Sequence, residues 1–351
     1  MDVFEFRRES EKKLRLAMQF VRRILLAPNH FHLSLPERLK ANFFGGYTAD
    51  QWAMYHLNLH NRKEYLSEFD WYRSRYIDEP FEGMLNNKVI AAQVLRPYLR
   101  VPDILFQKNR RQAVDADGKP VTAKAICTYL QTGQSLIYKP YDKGRGKDVH
   151  LLAFDDGAFS IDRQACSEQQ LCAFLDGGKN WFCSEPVQQH PYAAALYSET
   201  VNTIRMITLR DPETGVWKLF FAVQRIGRAS TIPVDNGSRG GIVCKIDLET
   251  GQLSYGRTLH DRQVYYTHPD SGAVFSEVFV PDWDGVKREV LLCASHFPFL
   301  SFIAWDVVIQ PDGQLCVIEM NASSGNNIIQ LWGGQRNAEL GDFYRHYNVI
   351  K

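Results

Sequence analysis

The sequence predicts an α+β protein in which helices fill the N-terminal part and β-strands most of the remainder. Three observations carry this expectation. Leu14, Met18, Val21 and Leu25 recur at helical spacing within residues 1–27, with Arg and Lys between them. From about residue 121 the texture changes to short runs rich in β-branched and aromatic residues, among them "SLIYKP", "TIRMITL", "WKLFFAVQRI" and "LCVIE". Turn signals such as "DPETG", "DLETG" and "QPDGQ" separate these runs, without the regular strand–helix alternation of a parallel sheet.

Taken in order, the first helix is expected to end at Pro28. Its basic, amphipathic character suits a membrane surface or, the plainer expectation for a globular chain, packing on the protein body. Residues 50–76, "DQWAMYHLNLHNRKEYLSEFDWYRSRY", are expected to be helical. Their aromatics read as packing, because the neighbouring charge is mixed where a base-stacking platform would be basic. One helix interrupts the strands. Ser167 and Gln170 form a capping box, "LCAFL" gives the apolar face, and Gly177–Gly178 stop it.

Composition narrows the function classes. The chain has 351 residues, 45% hydrophobic and 23% charged, enough for a core divided into lobes. Lys and Arg number 41 against 40 Asp and Glu, which argues against a nucleic-acid partner. No stretch approaches the roughly 20 apolar residues of a transmembrane helix. The charged start "MDVFEFRRESEKK" lacks a signal-peptide core, so a cytoplasmic location is expected. The seven scattered cysteines lack any CxxC and read as buried free thiols in place of disulfides or zinc ligands.

Four stretches could carry chemistry. In "IYKPYDKGRGKDV" a strand delivers Lys139, and Gly144, Arg145, Gly146 and Lys147 follow. Such a loop either cradles phosphates through its backbone N–H groups or is a flexible basic hairpin; it is not a Walker A loop. In "SEPVQQH", Ser184–His190, a strand ends in a polar bend whose backbone could meet an adenine edge. Arg205 and Arg225 each stand inside an apolar strand. A guanidinium placed there must reach an acid or an anionic ligand, since burying it unpaired is costly. The turn that follows Arg225, with Asp235, Asn236, Gly237, Arg239, Gly240 and Gly241, allows close backbone approach to a ligand.

The fourth stretch is "AWDVVIQPDGQLCVIEMN". It reads as a hairpin with Val307–Ile309 and Cys316–Ile318 as strands. Asp306 begins the first strand, Glu319 ends the second, and Asn321 follows on the same side. Two carboxylates and a carboxamide gathered at one end are hard oxygen donors of the kind Mg²⁺ takes, although polar hairpin ends are also common.

Together these stretches resemble the ATP-grasp superfamily. The carrying pattern is Asp306, twelve residues, Glu319, one residue, Asn321. A narrower resemblance is to the sugar-transfer-associated ATP-grasp group, found with polysaccharide biosynthesis genes. It rests on "LNNKVIAAQVLRPYLRVPD", "QQHP", "SETVNTIRMIT", "VDNGSRGGI", "HPDSG" and the final hairpin, in order over about residues 45–335. The resemblance implies two α+β lobes clasping ATP, here 81–187 and 188–351, after a helical region 1–80. It implies that Lys88 and Lys139 meet the ATP phosphates, with Gly144, Gly146 and Lys147 in the covering loop. Glu185 and Val187 would lie along the adenine, and Gln188, Gln189 or His190 would take the ribose. Arg205 and Arg225 would face the γ-phosphate, and Asp306, Glu319 and Asn321 would hold Mg²⁺. Substrate contacts are expected from Asp235, Asn236, Arg239, Gly240, Gly241 and His268, with Ser323 and Ser324 beside the room left for substrate.

The sequence departs from the wider pattern in several places. Ser184 stands where many hinges carry Glu, no acid closely follows Val187, Ala304 stands where some amino-acid ligases carry Arg, and the N-terminal part is helical and short. The implied activity is an ATP- and Mg²⁺-dependent carboxylate–amine ligase working through an acyl phosphate. Its substrate would be a small molecule or glycan precursor, a sugar acid or an amino acid. A kinase acting on a hydroxyl, or a non-catalytic nucleotide-binding scaffold, are the alternatives.

Overall fold

The computed structural model describes residues 3–141 and 148–351, with side chains from residue 9 onward. Two antiparallel sheets dominate it. The first is built from β1 (Ile104–Asn109), β2 (Gln112–Asp115), β3 (Pro120–Val121), β4 (Leu136–Pro140), β5 (His150–Asp155), β6 (Ala158–Ile161), β7 (Gln164–Cys166) and β8 (Asn180–Ser184), in the order β3-β2-β1-β8-β4-β5-β6-β7. The second holds β9 (Ile204–Arg210), β10 (Trp217–Ile226), β11 (Ile242–Ile246), β12 (Leu253–Arg257), β13 (Phe302–Ile309) and β14 (Leu315–Asn321), in the order β12-β11-β10-β9-β13-β14.

Strand alternation explains how each sheet divides its faces. In β4, Leu136 and Tyr138 are buried under the helices Ala123–Leu130 and Glu168–Gly177, while Ile137 and Lys139 point the other way, into the space between the sheets. Ser167 caps the second of these helices as expected, its Oγ accepting from Gln170 N at 3.2 Å while Gln170 Oε1 accepts from Ser167 N at 2.8 Å. All seven cysteines are unpaired, and Cys127 and Cys172 bring their sulfurs to 3.6 Å between the two helices.

The second sheet is covered on both faces. One face packs Ile204, Met206, Trp305 and Val317 against the helices Lys88–Leu95 and Trp283–Ser295. The other packs Ile207, Val223 and Phe302 against the C-terminal helix Glu339–His346. Leu85, Ala91 and Leu95 therefore pack on the second sheet although the expected first lobe, 81–187, contains them.

The N-terminal region is helical, with two differences from expectation. The first helix, Val3–Phe20, continues through one π-helical turn, Val21–Leu25, before Pro28. Residues 50–76 do not form one helix. They divide into Ala49–Met54, a 3-10 turn Asn61–Glu64, and Glu68–Ser74. Asparagine chemistry causes the break: Asn58 Oδ1 accepts from His60 N and Asn61 N, and Asn61 Oδ1 accepts from Asn58 N at 2.8 Å. Ser67 then caps the second helix, with Asp70 completing the box. Tyr55 and Tyr65 stack at 4.9 Å and hold the two halves together. This layer packs on the second sheet through Trp52, Tyr55, Val243 and Leu259. No helix among the described residues is long and apolar enough to cross a membrane.

Candidate active site

The hairpin β13–β14 forms with Pro311, Asp312 and Gly313 in its turn, but it is longer than expected. The apolar run before Asp306 extends β13 back to Phe302 and pairs it with β9, so Asp306 lies inside the ladder. Register then builds a row across the sheet: Arg205 of β9 is opposite Asp306 of β13, which is opposite Glu319 of β14. Directly opposite residues share a face. Residues distant in sequence are thereby set side by side, and Asn321, two beyond Glu319, joins them.

The contacts in this row are short. Arg205 grips Asp306 through both oxygens, Nε to Oδ1 at 2.5 Å and Nη2 to Oδ2 at 2.9 Å. Arg225 donates from Nη1 to Asp306 Oδ1 at 3.0 Å and from Nη2 to Asp235 Oδ1 at 2.7 Å. Asp235 is fixed in turn by Thr203, whose N and Oγ1 reach its Oδ2 at 2.8 and 2.6 Å. Burial alone would raise the Asp306 carboxyl; the two guanidiniums overcome that and hold it at about 2. Burial opposes the charge on Arg225, but Asp235 and Asp306 raise its pKa above the ordinary arginine value.

Two lysines face this row. Asn87 caps the helix Lys88–Leu95, its Oδ1 accepting from Val89 N and Ile90 N at 3.1 Å, and so fixes Lys88 as the first helical residue. Lys88 Nζ lies 3.5 Å from Glu319 Oε1. Lys139 enters from β4 of the other sheet. Desolvation lowers its pKa to about 8, with Lys88 adding to the effect and Glu319 opposing it.

These groups line a cavity of about 690 Å³ between the two sheets and the N-terminal helices. Ile137, Val149, Pro186, Val187 and Ile318 give it an apolar end, with Glu185 beside them. Glu185 Oε1 accepts from Asp103 N at 3.2 Å. Ser184, at the departure from the usual hinge, is buried, and its Oγ has no hydrogen-bond partner among the described residues. Of the residues expected to meet substrate, Asp235, Asn236 and Ser323 line the cavity. Ser324 lies behind it and accepts from Arg205 Nη1 at 3.2 Å.

The structure leaves other expected residues outside the cavity lining. His268 is buried away from it, with Nε2 2.8 Å from Gly227 O and Nδ1 accepting from Ser271 N at 3.1 Å. The exposed Arg239 and the glycines Gly240 and Gly241 form the turn behind Asn236, and Gly241 is pressed against the Asp235 backbone. Gln189 brackets the chain by donating to Thr200 O at 2.8 Å and accepting from Asn202 N at 2.9 Å. Gly144, Gly146 and Lys147, with Arg145, lie outside the described residues.

The N-terminal wall of the cavity was not expected from the sequence. Arg22, Arg23, His30, Glu68, Trp71 and Tyr72 all face into it. Trp71 Nε1 reaches Ser323 Oγ at 3.2 Å, and His30 stacks on His260 at 4.6 Å while its Nδ1 meets Asp50 Oδ2 at 2.6 Å. In the sequence Trp71 and Tyr72 read as packing aromatics within "FDWYRS", and only the fold shows what they face.

A family model described as sugar-transfer associated ATP-grasp matches residues 69–339. The chain belongs to this family. Its fold is accordingly the ATP-grasp fold, preceded by a helical layer, most of which lies before the matched residues. No curated protein matches the chain. Solved structures that resemble it include the ATP-grasp ligase PsnB complexed with minimal precursor, Mg and ADP, at 15% identity and TM-score 0.39, covering 78% of this chain and 61% of that one. Another is the ADP complex of purK, N5-carboxyaminoimidazole ribonucleotide synthetase, at 11% identity and TM-score 0.40, covering 70% and 46%. A third is the L-amino acid ligase from Bacillus licheniformis, at 10% identity and TM-score 0.37, covering 70% and 42%. The chain thus spans less than two thirds of each of these proteins.

The donor set in this cavity suits Mg²⁺. Asp306, Glu319 and Asn321 offer hard oxygens on one face, and Asn321 Nδ2 is buried with no partner among the described residues, so no hydrogen bond fixes that end of the amide. Asp306 shares its oxygens with two guanidiniums, whereas Glu319, with the looser contact, would be the freer ligand.

Proposed function

We propose that the protein is an ATP-dependent carboxylate–amine ligase whose acceptor is a small sugar acid, amino acid or glycan precursor. One observation carries the reading: the cross-strand row that sets Arg205, Asp306 and Glu319 on one face, with Lys88 and Lys139 opposite. In this reading adenine lies against Ile137, Val187 and Ile318, with the unpartnered Ser184 hydroxyl near its edge. Lys88 and Lys139 receive the phosphates. Asp306, Glu319 and Asn321 hold Mg²⁺, which, when bound, neutralises phosphate charge as a Lewis acid.

The chemistry asks little covalent work of the chain. An acceptor carboxylate oxygen attacks the γ-phosphorus, the bond to the bridging β,γ-oxygen breaks, and ADP leaves an acyl phosphate. In this reading Arg205 and Arg225, which line the cavity and are positioned by Asp306, meet the charge of the transferred phosphoryl group. An amine then attacks the acyl carbon, inorganic phosphate departs, and the amine loses a proton to give the amide. The N-terminal helices exclude water from the acyl phosphate. Arg22 and Arg23 offer the acceptor end of the cavity two cations for a molecule with a further anionic group, while His30 is engaged by Asp50.

Product analysis separates the reactions open to this site. With ATP and a matched carboxylate and amine, a ligase releases free phosphate and forms an amide. Phosphate retained on a hydroxyl product instead would make the protein a kinase. Tight ATP binding with no turnover in any cell extract would make it a nucleotide-binding scaffold.

Two further outcomes are expected. Because Lys139 loses its proton near pH 8, it is cationic below that value and neutral above it. The affinity for a non-hydrolysable ATP analogue should therefore fall as pH rises through about 8, and Lys139→Arg should flatten the profile. Equally flat profiles for both proteins would remove Lys139 from the phosphate site. Trp71→Ala should raise the acceptor KM about tenfold while leaving ATP-analogue affinity unchanged, the signature of lost acceptor binding. An unchanged acceptor KM would take Trp71 out of the acceptor wall.

A further inference from the structure

Among the described residues, the largest concentration of exposed apolar side chains is in the N-terminal helical layer. Of the 21 large apolar side chains that remain exposed among the described residues, eight fall within residues 14–44. Leu14, Met18 and Val21 form a stripe along the first helix, at i, i+4 and i+7, and Leu14 is 62% exposed. The helix Leu35–Phe43 adds a second stripe through Leu35, Leu39 and Phe43, the last 63% exposed. The two helices are packed together. Phe20 meets Phe43 at 6.0 Å between ring centres, and Asn42 Nδ2 donates to Ile24 O at 3.4 Å. Both stripes therefore belong to one helical layer.

The inner side of the first helix is already occupied, by Phe20 against Phe69 at 5.6 Å and by the buried Ile24. Docking on the body of the protein thus accounts for one side and leaves the apolar stripe uncovered. Basic residues predominate beside the stripes: Lys13, Arg15, Arg22, Arg23 and Lys40 are exposed, against the exposed acids Glu9, Glu11 and Glu37. Residues 1–44 carry nine Lys and Arg against five Asp and Glu, in a chain whose totals are 41 and 40. The rest of the chain is therefore slightly acidic, and the positive excess is confined to the layer that holds the apolar stripes.

We propose that this layer docks the protein on an anionic lipid surface, with the apolar stripes entering the interface and the basic residues meeting the headgroups. An apolar face bordered by Lys and Arg is the pattern that binds such an interface without spanning it. A protein partner would need acidic groups and an apolar groove in matching order, whereas an anionic bilayer supplies both features over its whole surface. The placement bears on the site as well. Arg22, Arg23 and Leu26 line the cavity, so docking brings its acceptor end beside the lipid. Acceptors carried on a lipid would then reach the site directly.

Flotation of the full chain with phosphatidylcholine vesicles, with and without phosphatidylglycerol, tests this. The protein should float with the anionic vesicles and remain in solution with the neutral ones. Added salt should weaken the binding. Leu14→Glu with Met18→Glu should reduce vesicle binding about tenfold or more and leave ATP-analogue affinity and the unfolding midpoint unchanged. Absence of flotation with the anionic vesicles, or flotation unaffected by the double substitution, overturns the proposal. So does a stable dimer in light scattering that the same substitutions dissociate without any vesicle binding, since the face would then belong to a second copy. The nucleotide-affinity readout keeps these results separate from any failure of the ligase reading.

Discussion

Glu319→Gln is expected to abolish turnover, lowering it by about 10³-fold or more, because a metal ligand contributes several kcal/mol of charge stabilisation in the transition state. The fold should survive. Glu319 lies within the β13–β14 pairing with its side chain in the cleft, where Lys88 Nζ approaches it at 3.5 Å. Glutamine keeps the shape and removes the negative charge. The measurement is ATP-dependent phosphate release at saturating Mg²⁺, beside a thermal melt. Wild-type turnover in the variant would sink the metal assignment. An equal loss of melting temperature and turnover would point to a structural role.

Arg225→Ala has the largest expected effect on stability, a loss of about 3–5 kcal/mol, because it leaves buried acids without their partner. Arg225 joins Asp235 at 2.7 Å to Asp306 at 3.0 Å, and all three are buried. The pH dependence has a definite sign. The Asp306 carboxyl lies at about 2 in the folded protein, below its ordinary value near 3.8, so its contribution is present above the ordinary value and lost as pH falls toward 2. Removing Arg225 should shift that loss to higher pH. Urea unfolding at neutral and acidic pH measures both effects. An unchanged midpoint at neutral pH would mean that the triad is not a stabilising unit.

Much of this was legible in the sequence because the informative signals are local. The hairpin turn, the capping box at Ser167 and the polar strand end at Glu319 and Asn321 each lie within a few residues. The spacing of Asp306, Glu319 and Asn321 was sufficient to predict that they meet. What the sequence did not reveal depends on pairings between distant strands. Asp306 was expected at the start of its strand, but the run Phe302–Trp305 pairs with β9 and carries the carboxylate into the ladder opposite Arg205. The two strand arginines were each open to a structural or a ligand-binding role. The structure places both on the same carboxylate and at the edge of the cavity.

Three differences from expectation have simpler causes. The break in residues 50–76 arises because asparagine side chains at 58 and 61 take over backbone donors, which the aromatic pattern masks. His268 looked available in "HPDSG", but its ring holds its own turn together and bonds Gly227. The N-terminal wall of the cavity was missed because Arg22, Arg23 and Trp71 lie in helices that look self-sufficient until the second sheet is packed beneath them.

The most direct test of the central claim, that the cleft between the sheets is the nucleotide and metal site, is a crystal structure with Mg²⁺ and a non-hydrolysable ATP analogue. The predicted result has adenine against Ile137, Val187 and Ile318, Lys88 and Lys139 on the phosphates, and the cation bound by Glu319 with Asp306 or Asn321. A nucleotide bound elsewhere, or one in the cleft whose cation touches none of these three residues, would contradict it.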